Sequence, residues 1–195
     1  GADRGASGGA LPPGPDAARR AAIGARVEAL FRASGALRDG HFGLKSGRHG
    51  DRYLEKFQVL QHPAMVVERC GMIADRARTA DGAPLVDVVV GPTTGGVLLA
   101  FEVARQLGVR GIFAEEVRDA SGTPARELRR GFRIEPGERV LLVDDILTTG
   151  GSLLAMLPPI EAARGAGAVM RRQLDATKRV NLRASQHRAR VEADP

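Results

Sequence analysis

Cysteine and aromatic residues are scarce in this chain of 195 residues. One cysteine, Cys70, excludes an intramolecular disulfide and any zinc site built from several cysteines. It falls on the apolar face of an expected helix, so it reads as a buried structural thiol and not as a nucleophile. There is no tryptophan and one tyrosine, and aromatics reach only 4%, which argues against a surface that stacks bases on aromatic platforms. No apolar run approaches the roughly 20 residues needed to cross a bilayer. The opening stretch lacks a basic-then-apolar signal pattern. The expected location is therefore cytoplasmic, with no membrane partner. The net charge of +6 could suggest an anionic partner, but much of the excess sits in Arg171, Arg172, Lys178, Arg179, Arg183, Arg188 and Arg190. A basic tail raises the isoelectric point without describing a folded site, and no nucleic-acid partner is expected.

Hydrophobic residues at 43% and charged residues at 27% are enough for one domain with a substantial core. Residues 1–15, rich in Gly, Ala, Pro and Ser, read as a disordered leader. From Asp16, a plausible N-cap, Ile23, Val27, Leu30 and Phe31 fall on one face of an amphipathic helix that Gly35 can close. The segment from Gly40 to Lys56 fits short strands joined by a turn. A second helix is expected near Pro63, with Val66, Cys70, Ile73 and Ala77 as its core stripe. Strands at Leu85–Val90, Val109–Ala114 and Arg139–Val143 then alternate with helices at Gly95–Leu107 and from Ser152. That order implies an α/β fold, a mostly parallel sheet flanked by helices. Ligands in such sheets bind beyond the carboxyl ends of the strands, which selects the loops Gly91–Gly96, Glu115–Arg130 and Asp144–Ser152.

The last of these loops carries the chemistry. Asp144-Asp145-Ile146-Leu147-Thr148-Thr149-Gly150-Gly151-Ser152 follows an apolar strand and opens a helix. Its glycines and hydroxyl residues can wrap an anion with backbone N–H and side-chain O–H groups. It lacks the Gly-Lys-Ser/Thr ending of a nucleoside-triphosphate loop. Two carboxylates beside a phosphate cradle would repel a phosphate, but they can accept the two hydroxyls of a ribose diol. A sugar phosphate satisfies both halves. The competing reading, a helix cap at Asp145 or Thr148 and a turn, suits a bare Thr-Thr-Gly-Gly better than this whole array.

The segment Val140–Ser152 resembles the phosphoribosyl-pyrophosphate motif of the type I phosphoribosyltransferases. The resemblance implies that Asp144 and Asp145 hold the ribose 2′- and 3′-hydroxyls, with Ile146 and Leu147 in the same binding loop. Thr148, Thr149, Gly150, Gly151 and Ser152 would take the 5′-phosphate. Gly91-Pro-Thr-Thr-Gly-Gly96 is similar to the family's pyrophosphate loop, with Thr94 and Gly95 as contacts and often a cis peptide. Gly40-His-Phe-Gly-Leu-Lys-Ser-Gly-Arg48 with Tyr53-Leu54 resembles the orotate phosphoribosyltransferase signature, and the likeness continues through Gln61-His-Pro63 and Arg130-Gly-Phe132. It implies that Lys45, Tyr53, Leu54 and Thr148 meet orotate and that the product is orotidine 5′-monophosphate, a step of pyrimidine (UMP) biosynthesis. It further implies Mg²⁺ carried mainly by the substrate's pyrophosphate and ribose oxygens, no all-protein metal site, and a homodimer. A small N-terminal hood and a mobile lid loop would complete the fold.

The sequence departs from that pattern twice. Glu115 and Glu116 stand where related enzymes place a basic residue. Arg118 and Arg126 are nearby cations, of which Arg118 joins Asp144 and Asp145 as an expected catalytic residue, while Ser121-Gly-Thr-Pro124 has the composition of a flexible lid. After Val169 the chain turns polar, without strand periodicity or an Asp-Arg pair. Residues 16–169 therefore read as the domain and 170–195 as an atypical basic tail. Pro158-Pro159 should kink or restart the helix after Ser152. Two other readings stay open: a purine phosphoribosyltransferase, and a non-catalytic regulatory protein that binds phosphoribosyl pyrophosphate.

Overall fold

The computed structural model describes residues 17–43, 49–145, 151–164 and 170–172. Helix α1 (Ala17–Ala33) is followed by an antiparallel hairpin of β1 (Leu37–Gly43) and β2 (His49–Leu54), with a register shift between Asp39 and Phe42. Then come α2 (Lys56–Leu60), α3 (Pro63–Ala74) and a short 3₁₀ turn, Asp75–Ala77. The alternating part runs through β3 (Val88–Pro92), α4 (Gly95–Leu107), β4 (Arg110–Arg118), β5 (Pro124–Leu128), β6 (Val140–Leu142), α5 (Gly151–Leu154), α6 (Leu157–Arg164) and β7 (Met170–Arg172). The main sheet has the order β5-β4-β3-β6-β7, parallel except for β5. This is the expected α/β architecture, with the β1–β2 hairpin standing as the N-terminal hood.

Strand β3 sits in the middle because both of its faces are apolar. Val89 packs with Val27 and Phe31 of α1, Cys70 of α3, and Leu99 and Val103 of α4. Val88 and Val90 pack on the other side with Ile112, Val140, Leu142, Met156 and Ile160. A strand covered on both faces needs a continuous β-branched run, which Val88-Val-Val90 supplies. At the edge away from the loops, the Arg139 guanidinium makes a bidentate pair with Asp87, both contacts at 2.8 Å. Cys70 is fully buried, and burial pushes its thiol up to about 12, as an inert structural cysteine requires.

The structure revises several expected boundaries. The first central strand begins at Val88 and not at Leu85, because Leu85 instead donates its N–H to Ala77 O. Strand β4 continues to Arg118, four residues past the expected end at Ala114, and pairs with β5. Cross-strand charge pairs support that extension: Glu116 with Arg126 at 3.1 Å and, from the following loop, Arg130 with Glu115 at 2.5 Å. The Ser121–Pro124 segment is thus the turn of a closed hairpin, in which Asp119 Oδ1 accepts from the N–H groups of Ser121 and Thr123. Pro158 and Pro159 lie in the first turn of the restarted helix α6, where a missing N–H costs nothing. The tail expected from Met170 begins with a strand, since Met170–Arg172 pair in parallel with β6. Backbone hydrogen bonding at a sheet edge does not need an apolar sequence, which explains why periodicity gave no sign of it.

Candidate active site

The carboxyl ends of β3 and β6 bring two loops side by side. Gly91–Gly96 is folded so tightly that none of its three glycines has room for a side chain. A Cβ on Gly91 would lie 2.1 Å from Gly96 O, and one on Gly96 would lie 2.5 Å from Pro92 Cδ. The Thr93–Thr94 peptide is cis, as the resemblance implied. Thr94 precedes α4 without capping it through its hydroxyl; its carbonyl accepts from the Val97 N–H at 3.3 Å, and the Gly95 and Gly96 N–H groups ahead of Val97 are the ones a further acceptor could take. An anion is the natural acceptor at such an end.

From the other loop come Asp144 and Asp145. Asp145 is 2% exposed and its carboxylate is held by Lys56, with Nζ 3.2 Å from Oδ1 and 2.9 Å from Oδ2. Only the first contact has hydrogen-bond direction, so Oδ2 is a buried oxygen with an ionic neighbour but no hydrogen-bond donor. That oxygen lies against Gly95, where an added Cβ would come within 1.6 Å of it. The two loops therefore touch through Asp145 and Gly95. The Asp145 carbonyl accepts from Arg69, a buried guanidinium that also lies 5.4 Å from the Phe31 ring centroid. Burial holds the Arg69 pKa below its ordinary value, although an arginine remains charged there. Asp144 is half-buried. Burial first, and then the neighbouring Asp145, push its carboxyl up to about 6.

Thr94, Gly95, Asp144 and Asp145 are thus gathered in one place, with Gly151 and Ser152 opening α5. Lys45, Ile146, Leu147, Thr148, Thr149 and Gly150 lie outside the described residues. Tyr53 and Leu54 occupy adjacent positions on β2, so their side chains take opposite faces. Leu54 packs against the core, while Tyr53 is 40% exposed and donates to Glu55 at 3.2 Å. Arg118 is placed at the hairpin end, donating to Gly122 O at 2.9 Å. It is four residues beyond Ala114, or about 13 Å along the strand, and does not join the loops. Sequence reasoning did not single out Lys56 or Arg69. Arg69 carried a signal, because it neighbours Cys70 on the buried stripe of α3. Lys56 carried none, since its partner is 89 residues away.

Comparisons with known proteins bear on this geometry. The phosphoribosyl transferase domain family matches residues 57–170. An orotate phosphoribosyltransferase of Pelotomaculum thermopropionicum is 46% identical over 139 residues, 71% of this chain and 68% of that protein. The chain belongs to the orotate phosphoribosyltransferase family. A relative from Chlorobaculum parvum with the same name is 44% identical, over 69% of this chain and 65% of its own length. The chain thus spans about two thirds of the length of these family members. Among solved structures, the orotate phosphoribosyltransferase of Aeropyrum pernix superposes with a TM-score of 0.53 at 21% identity, covering 80% of this chain and 87% of that one. An adenine phosphoribosyltransferase of Trypanosoma brucei reaches 0.54 at 17% identity, covering 82% and 72%. The type I fold is therefore common to orotate and adenine enzymes, and membership of the orotate family rests on the sequence relatives.

Proposed function

We propose that this chain transfers the phosphoribosyl group from phosphoribosyl pyrophosphate to orotate, giving orotidine 5′-monophosphate and pyrophosphate. The observation that carries the reading is the junction of Asp145, with Asp144 next to it, against Gly95 at the start of α4, in a chain of this family. Carboxylates suit the ribose diol and first-turn amides suit the pyrophosphate. In the reaction the pyrimidine N1 forms a bond to ribose C1 while the bond from C1 to the pyrophosphate oxygen breaks. Positive charge develops on the ribose, so the protein's part is positioning and electrostatics. The paired carboxylates beside the diol lie near that developing charge. Lys45 and Thr148 would face the anionic base, and residues 148–152 the 5′-phosphate.

Among the described residues no cluster of His, Cys, Asp or Glu could hold a metal by itself. The two adjacent aspartates fit a Mg²⁺ ion borne on substrate oxygens, which would neutralise the leaving group. A homodimer is supported by Leu98 and Phe101 on α4, apolar side chains that are 48% and 66% exposed. No helix among the described residues is long and apolar enough to cross a membrane, in keeping with a cytoplasmic enzyme.

The test mixes the protein with orotate, phosphoribosyl pyrophosphate and Mg²⁺ and follows the loss of orotate absorbance. Turnover with orotate and not with adenine, hypoxanthine or xanthine is the expected result. Turnover on a purine alone would replace the base assignment, and no turnover on any base would reject the activity. Sedimentation of a monomer at working concentration would reject the dimer.

A further inference from the structure

The β4–β5 hairpin meets the Gly91–Gly96 loop at Thr93, and each backbone and hydroxyl group of Thr93 is engaged there. Its N–H donates to Ala114 O at 3.0 Å. Its hydroxyl oxygen accepts from the Glu116 N–H at 3.3 Å. Its carbonyl and hydroxyl oxygens both accept from Nη1 of Arg126, each at 3.0 Å. Arg126 Nη2 turns the other way and donates to Glu116 Oε2 at 3.1 Å. The Arg126 side chain is only 10% exposed, whereas that of Glu116 is 62% exposed.

A surface ion pair has both partners in water and contributes little. Here one partner has left the water and its charge lies against the carbonyl of the cis Thr93–Thr94 peptide. The carboxylate at position 116, which departs from the basic residue of related enzymes, holds that cation from the solvent side. Arg118, closer to the hairpin turn, donates instead to Gly122 O at 2.9 Å.

We propose that Arg126 is the positioning residue of the pyrophosphate loop. From β5 it fixes the Thr93 carbonyl and sets a positive charge behind the loop, in place of a basic side chain at positions 115 and 116 of β4. With that carbonyl pinned, the N–H groups that follow keep a fixed direction before any ligand arrives, which is how a dipolar site gains its strength. Arg126 thereby acts through the loop and Glu116 acts through Arg126. The proposal rests on reading Gly91–Gly96 as the pyrophosphate site.

The experiment is calorimetric titration of the full chain with Mg²⁺-pyrophosphate and, separately, with ribose 5-phosphate. The variants are Arg126→Met, Arg126→Gln and Arg126→Lys, with thermal melting as the check on folding. Arg126→Gln keeps a donor for Thr93 without the charge, and it carries the test if Arg126→Met does not fold. Pyrophosphate binding should weaken by at least about tenfold in the Met and Gln variants, the scale of one lost charge-assisted interaction. Ribose 5-phosphate binding should stay within about twofold, because that ligand belongs to the Asp144–Ser152 loop, and Arg126→Lys should recover part of the loss. Unchanged pyrophosphate affinity in a folded neutral variant would overturn the proposal. So would an equal loss for both ligands, which would make Arg126 a general structural support. Failure of the loop reading itself looks different: the unsubstituted protein would bind ribose 5-phosphate and no pyrophosphate, and the proposal would fall with it.

Discussion

The two loops that meet at the carboxyl ends of β3 and β6 are built by opposite means. Gly91–Gly96 is specified by lack of space. A Cβ on Gly91 would strike backbone, one on Gly96 the Pro92 ring and one on Gly95 the Asp145 carboxylate, and Thr93 has its backbone and hydroxyl groups satisfied by the β4–β5 hairpin. The start of Asp144–Ser152 is specified by charge. Two carboxyls are crowded together, one is buried against Lys56, and the other is pushed up to about 6 by burial and by its neighbour. A loop set by packing is ready before its ligand arrives. A loop set by unfavourable charge holds a cost that a ligand able to satisfy those oxygens can relieve. The comparison predicts that substitutions in the first loop act on the fold, and that substitutions in the second move stability and binding in different directions.

The largest effect is expected at Gly91. Alanine there places its Cβ 2.1 Å from Gly96 O and 2.6 Å from Gly96 C, both backbone atoms that no side-chain rotation can clear. Gly91→Ala should destabilise the protein by at least about 3 kcal/mol, in the range of severe overpacking. Gly24→Ala is the control: it lies within α1 with nothing within 4 Å of the added methyl, so it should be neutral or stabilise by about 0.5–1 kcal/mol. Denaturant midpoints measure both. A wild-type midpoint for Gly91→Ala would mean that the first loop is not set by packing.

Lys56→Met comes next and tests the second loop. It removes the ammonium beside a carboxylate whose side chain is 3% exposed, leaving that buried charge with only the more distant Arg69 guanidinium as a cationic neighbour. Loss of one partner of a fully buried pair costs about 3–5 kcal/mol, but Lys56 itself is 34% exposed, so about 2 kcal/mol is expected. The double variant Lys56→Met with Asp145→Asn should recover much of the loss, because the buried charge that lost its ion-pair partner is then gone. If the double variant is less stable than Lys56→Met alone, charge is not what sets this loop.

How much of this could be read in the sequence follows the same division. The apolar patterns announced β3, β6 and helices α1, α3 and α4 within a few residues, because burial against a parallel sheet demands them, while the short helix α2 went unannounced. The aspartate pair and the Gly-Pro-Thr-Thr-Gly-Gly loop were legible as local patterns. What escaped was non-local. Lys56 reaches Asp145 only once α2 has packed Val59 and Leu60 into the core beside β3, and Arg126 reaches Thr93 only once β5 has paired back on β4. Glu116 was legible as a departure, but its role depended on knowing which residue stood opposite. Strand β7 was hidden because a polar edge strand leaves little trace in hydropathy. Lys45 and residues 146–150, which the motif assigns to base and phosphate, lie outside the described residues.

The smallest effect has the opposite sign and separates stability from binding at one residue. Asp144 has a carboxyl near 6, raised above the value of about 4 that an unfolded chain gives it. The folded protein therefore holds that proton more tightly than the unfolded chain does. Between pH 4 and pH 6 the native state carries the extra proton, so this group's effect on stability worsens as pH rises through that window and then levels off. Asp144→Asn removes the titration. Its stability gain over wild type, without ligand, should be near zero at pH 4 and reach about 1–2 kcal/mol above pH 6, allowing for the part of the carboxyl that water reaches. The same variant should bind phosphoribosyl pyrophosphate more weakly, since an amide accepts a ribose hydroxyl less strongly than a carboxylate does. Melting temperatures across pH 4–8 with paired calorimetric titrations decide the matter. A stability difference that does not change with pH would show that Asp144 carries no stored charge cost, and the contrast between the two loops would then reduce to packing alone.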